Sequence, residues 1–116
     1  MKQINIFCSS VFLLLILSTV AYSETEVARM TIAANSTNQM TIWLDTDMTY
    51  RMQFGGLEGT EGISYLYYPG STVIEHTFQQ TAVSSVNFTT ISSGNRTWKV
   101  TNLNNETSLH MTIFKP

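Results

Sequence analysis

Beyond residue 23 the chain has no cysteine; its only one, Cys8, lies near the start. No disulfide can staple the part that follows, so its stability has to come from packing and backbone pairing. The five basic residues of that part, Arg29, Arg51, Arg96, Lys99 and Lys115, stand singly. A phosphate backbone is bound by clustered cations that release counterions, so nucleic acid is not expected as a partner. Five basic against eight acidic residues leave a net charge of −3 after residue 23. The two histidines, His76 and His110, fall short of the three or four nitrogen or sulfur ligands that zinc needs. After residue 20 there is neither an apolar run long enough to cross a membrane nor a convincing helical period.

What the first residues do have is the form of a secretory signal. Met1-Lys2-Gln3 carries one positive charge, Ile6–Val20 is largely apolar, and Ala21-Tyr22-Ser23 places small residues at the minus-three and minus-one positions of a cleavage site. Residues 1–23 are read as a signal peptide cut before Glu24, with 24–116 as a single domain of 93 residues. Cys8 precedes most of the apolar run and follows Phe7, which does not suit lipid attachment. An exported domain that uses no disulfides leans toward a bacterial source, with the periplasm or the medium as destination. Asn-x-Ser/Thr sequons begin at Asn35, Asn87, Asn95 and Asn105; in a chain so rich in Asn and Thr, chance sequons are expected.

Alternation of apolar and polar residues dominates the remainder. Val27–Ile32 sets Ala28, Met30 and Ile32 against Val27, Arg29 and Thr31, and Met40–Leu44 sets Met40, Ile42 and Leu44 against Thr41 and Trp43. Met48–Phe54 alternates without a break, from Met48 through Tyr50 and Met52 to Phe54. After the glycine-rich loop 55–62, Ile63–Tyr68 has bulky residues on both faces: Ile63, Tyr65 and Tyr67 on one, Leu66 and Tyr68 on the other. Such a strand is covered on both sides or borders an interaction surface. Thr72–Phe78 aligns Ile74, His76 and Phe78, and Val83–Ile91 aligns Val86 and Phe88. Residues 97–114 read as a β-hairpin, with Trp98 and Val100 on one arm, Leu109, Met111 and Ile113 on the other, and a polar loop between them. About eight short strands with polar turns predict an all-β fold, an antiparallel β-sandwich or jelly roll, with Trp98 at the centre of its core.

From Met48 onward the order of features resembles the bacterial pre-peptidase C-terminal domain, a small β-sandwich appended to exported enzymes. The residues that carry the likeness are Tyr50-Arg-Met-Gln-Phe54 before a glycine-rich loop, Tyr65-Leu-Tyr-Tyr-Pro-Gly70, and Ser93-Gly-Asn-Arg-Thr-Trp-Lys-Val-Thr-Asn102. The resemblance implies a sandwich fold and an adhesive or accessory role. Where the family often has an acidic residue before the fourth strand, this chain has Gly62 and Ser64, which speaks against a metal site there.

Three groups of side chains are candidates for chemistry. Asp45 and Asp47 with Glu58 and Glu61 can supply oxygens to Ca²⁺ if their two loops meet; otherwise they are solvated turn residues. Neither histidine sits beside an activated nucleophile or a Gly-x-Ser-x-Gly elbow, so no enzyme is expected. The aromatics Trp43, Tyr65 and Tyr68 are candidates for an exposed ligand-binding surface, the alternative being that most aromatics fill the core. The function expected is a non-enzymatic binding or adhesion module recognising a protein, a glycan or a cell-surface component. The other reading is a structural or assembly subunit that pairs through its sheet edges.

Overall fold

The computed structural model describes residues 23–116, so the signal-peptide expectation lies outside the described residues but for Ser23. Eight strands follow one another: β1 (Thr25–Ile32), β2 (Thr37–Leu44), β3 (Tyr50–Gly56), β4 (Glu61–Tyr67), β5 (Ile74–Thr81), β6 (Ser84–Phe88), β7 (Gly94–Asn102) and β8 (Leu109–Lys115). They form two antiparallel four-stranded sheets, in the orders β1-β8-β3-β6 and β2-β7-β4-β5. This is a jelly-roll sandwich. Among the described residues no helix is long and apolar enough to cross a membrane.

The alternating rows explain the two layers. Ala28, Met30 and Ile32 from β1, Tyr50, Met52 and Phe54 from β3, and Leu109, Met111 and Ile113 from β8 line the inner face of the first sheet. Ile42 and Leu44 from β2, Leu66 from β4, and Trp98 and Val100 from β7 line the inner face of the second. Stacking the sheets removes both sets from water, at about 25 cal/mol per Å² of apolar surface buried. Trp98 is fully enclosed, as expected from its row.

The terminal hairpin does not exist. β7 pairs with β2 and β4, whereas β8 pairs with β1 and β3, so the two strands lie in opposite sheets. Residues 103–108 carry the chain across the end of the sandwich. Buried Asn102 holds that crossing: its Nδ2 is shared among the carbonyls of Ile32, Ala33 and Thr107 at 3.1, 3.3 and 2.8 Å, and its Oδ1 accepts from the Asn104 N–H. Asn104 Oδ1 in turn accepts from the N–H groups of Glu106 and Thr107. A polar loop between two alternating strands reads the same whether they pair or stack.

The β4 row resolves a choice that alternation left open, and the β5 row differs from expectation. On β4 the inward residues are Gly62, Ser64 and Leu66, so Ile63, Tyr65 and Tyr67 face outward. The small inward residues make room for the opposite sheet, and a Cβ at Gly62 would overlap Leu109 Cδ2. On β5 a bulge places Tyr67 opposite Ile74 and Leu66 opposite His76, with Glu75 as the extra residue. The bulge breaks the expected row: Ile74 stands outward at 45 % exposure, and only His76 and Phe78 continue inward. The turn between β1 and β2 centres on Ala34–Asn35, and β2 begins at Thr37.

Candidate functional site

The two outward faces of the sandwich differ in kind. On the β1-β8-β3-β6 sheet the outward residues include Arg29, Thr31, Gln53, His110 and Thr112. Arg51 lies over the Phe114 ring at 4.5 Å and binds Glu24 at 2.9 Å, which holds the Glu24 carboxyl below its ordinary range through the hydrogen bond from the guanidinium. That is the dress of a solvated sheet. The outward face of the β2-β7-β4-β5 sheet instead carries the stripe Ile63, Tyr65 and Tyr67 along an inner strand.

The register sets the neighbours of the stripe. Tyr67 stands between Thr97 of β7 and Ile74 of β5, Tyr65 between Lys99 and Thr77, and Ile63 between Thr101 and Gln79. The two tyrosine rings are 5.8 Å apart. Beside them, Gln39, Tyr67, Ser71, Thr72, Thr97 and Lys99 line an open depression of about 270 Å³. One wall of it is an aromatic ring, and the rest supplies hydroxyls, an amide and an ammonium. No salt bridge engages Lys99 among the described residues. A second depression, of about 250 Å³, lies by Arg51, Gln53, Val83, Ser84 and Ser85 and has no aromatic wall.

The three aromatics singled out from the sequence do not form one patch. Tyr65 belongs to the stripe. Trp43 is 57 % exposed, but it sits on β2 opposite Asn95, two strands or about 10 Å from β4, with its Nε1 donating to Asp45 at 3.0 Å. Tyr68 is half-buried and turned away from the stripe. Its ring lies under the Arg96 guanidinium at 4.5 Å and its hydroxyl donates to Glu75 Oε2 at 3.3 Å.

That withdrawal has a cause in a buried ion pair. The side chains of Arg96 and Glu75 are 3 % and 5 % exposed and meet at 3.0 Å. Arg96 also donates to the carbonyls of Ser92 and Asn95, and Glu75 accepts from the Ile91 N–H. Buried charges persist only when paired and hydrogen-bonded, so Tyr68 is one more partner in this network. The β5 bulge is what turns Glu75 inward to reach it.

The four acidic residues do not converge either. Asp45 and Asp47 precede β3 and Glu58 and Glu61 follow it, so the pairs stand at opposite ends of a seven-residue strand, roughly 20 Å apart. Glu61 accepts from Gln79 Nε2 at 2.6 Å. Among the described residues no three His, Cys, Asp or Glu side chains come together to hold a metal ion. His76 donates from Nε2 to the Thr89 carbonyl at 2.6 Å and stacks on Phe78, while His110 lies in the other sheet with Nδ1 at 3.2 Å from Thr31 Oγ1.

Sequence reasoning left Tyr67, Gln39, Lys99, Thr97, Ser71 and Thr72 unassigned. The signal that finds them is the run of Gly62, Ser64 and Leu66 between Ile63, Tyr65 and Tyr67, since two small residues on one side of a strand mark the side that packs closely against another layer.

No family model matches the chain, and no curated protein matches it in sequence. Solved structures do match in fold. The periplasmic inhibitor of g-type lysozyme PliG from Aeromonas hydrophila is 12% identical, with a TM-score of 0.55 over 79% of this chain and 84% of that one. PirA is 12% identical, with a TM-score of 0.53 over 82% and 98%. The Yersinia pseudotuberculosis-derived mitogen is also 12% identical, with a TM-score of 0.53 over 80% and 85%. At these identities the likeness is one of fold.

Proposed function

We propose that this chain is an exported, non-enzymatic binding module that takes a glycan against the outward face of the β2-β7-β4-β5 sheet. The observation that carries the reading is the outward Tyr65–Tyr67 pair beside a depression lined with hydroxyl, amide and ammonium groups. A pyranose ring has a C–H face and a rim of hydroxyls, so it wants a flat apolar platform edged by donors and acceptors. Tyr67 is the platform, and Gln39, Thr97, Ser71, Thr72 and Lys99 are the edge. A protein partner would gain more from a wide, deep apolar patch with a central anchor, and this depression is small and open. The fold supports the reading in one further respect, because a sandwich presents a broad rigid sheet on which such groups keep their spacing.

The resemblance of residues 48–116 to pre-peptidase modules fits the same role, that of an accessory domain. Export rests on residues 1–23, with the periplasm or the medium as destination. Screening the domain 24–116 on a glycan array, followed by calorimetry with the best ligand, tests the proposal. Tyr67→Ala should weaken binding about tenfold, the scale of one lost ring contact, and Lys99→Ala severalfold. Absence of any glycan ligand, or undiminished affinity in Tyr67→Ala, would overturn it.

A further inference from the structure

A two-sheet sandwich has four edge strands, here β1, β6, β2 and β5. Each edge offers unpaired N–H and C=O groups to any other chain, and folded proteins blunt such edges with charge, proline, bulges or shortness. Three of the four are blunted. β1 carries Glu26 and Arg29 and a bulge between Glu26 and Ala28; β6 has only five residues; β5 is bulged at Glu75.

β2 has none of these devices. Thr37–Leu44 is eight residues long with no charge, proline or glycine, and it keeps an unbroken register with β7 along its whole length. The direction of its backbone groups follows from two contacts. The Ser36 carbonyl accepts from the Asn102 N–H toward β7, and the Gln39 N–H is met by the Asn38 side chain at 2.9 Å. Neighbouring residues of an antiparallel strand point their backbone groups to opposite sides, so Thr37, Gln39, Thr41 and Trp43 aim theirs at the free edge. Asn38 Oδ1 is the one side-chain cap on that edge among the described residues, and a surface amide swings aside readily.

We infer that β2 pairs with β2 of a second copy of this chain, antiparallel about a two-fold axis near Thr41, joining the two β2-β7-β4-β5 sheets into one of eight strands. Self-pairing suits this strand. Residues opposite each other in an antiparallel pair share a face, so registers that match odd residue to odd residue, Thr41 to Thr41 or Gln39 to Thr41, keep the outward row outward. In both registers every opposing outward pair exchanges two backbone hydrogen bonds, and no charge meets a like charge. The two Trp43 side chains lie on the joined outward face, facing Gln39 or Thr37 of the other copy. This gives the assembly expectation a specific surface, and it holds whether or not the sheet binds a glycan.

A contact one strand wide is narrow, so association should depend on concentration. Sedimentation velocity of the domain 24–116 from about 10 µM to about 1 mM should show a monomer passing to a dimer, with no larger species dominating. Thr41 is exposed, so substitutions there spare the core. Thr41→Lys and Thr41→Glu set like charges face to face in the first register and diagonally across the seam in the second. Each should therefore weaken pairing while keeping the parent's circular dichroism, and an equimolar mixture of the two should recover the dimer. Thr41→Pro removes an outward N–H and should abolish pairing without breaking the β2–β7 ladder. A monomer across the whole range, a dimer indifferent to Thr41→Lys and Thr41→Pro, or failure of the mixed charges to associate would overturn the inference.

Discussion

Trp98 and Ser64 meet at the centre of the second sheet, where the indole Nε1 donates to the Ser64 hydroxyl at 2.9 Å and neither side chain touches solvent. One residue supplies the largest apolar body in the core, and the other keeps its single polar atom from being buried without a partner.

Ser64→Ala should therefore cost about 1–3 kcal/mol, because it strands the indole N–H where water cannot reach. Trp98→Ala should cost about 3–5 kcal/mol through the lost transfer energy and the cavity left behind. Urea unfolding followed by circular dichroism measures both. A Trp98→Ala protein as stable as the parent would remove Trp98 from the core.

Gly62→Ala should destabilise by about 1–3 kcal/mol, since the added Cβ falls on Leu109 Cδ2 and forces one sheet away from the other. Placed on a Leu109→Ala background, the same change should cost far less, because the obstructing methyl is gone. Equal costs on the two backgrounds would mean that the contact is not the cause.

Arg96→Met should cost about 3–5 kcal/mol by leaving the Glu75 carboxylate buried without its guanidinium. Glu75→Leu alone should cost a similar amount. Combining the two should return most of the loss, since an apolar pair of like volume has no charge to desolvate. A double variant as unstable as the two costs added together would show that the pair acts through its separate contacts with Ser92, Asn95 and Ile91.

The two-layer architecture was legible because the apolar rows of β1, β2, β3, β7 and β8 follow the pleat without interruption. Pairing was not. Whether β7 and β8 lie side by side or face to face depends on distant partners, Met40 opposite Trp98 and Phe54 opposite Met111, and a period of two is the same in both cases. The candidate site was half legible. Bulky residues on both sides of β4 marked it as a border, but its inward row could be told only from Gly62 and Ser64, and the withdrawal of Tyr68 depends on Arg96, Glu75 and a bulge that alternation does not encode.

The order of strands bears on how the chain reaches this state. Only β4 and β5 are successive strands that also pair; every other neighbour in sequence lies in the opposite sheet. The last two strands occupy inner positions, β7 between β2 and β4 and β8 between β1 and β3. Until they arrive, β1 and β2 have no partner and each sheet is open at its middle. Contacts so remote in sequence delay closure, because loop entropy is lost before pairing repays it, and folding should fall in the slow range of milliseconds to seconds seen for sandwiches. A cut between residues 103 and 108 in the unfolded chain would withhold β8, and with it the strand on which both β1 and β3 depend.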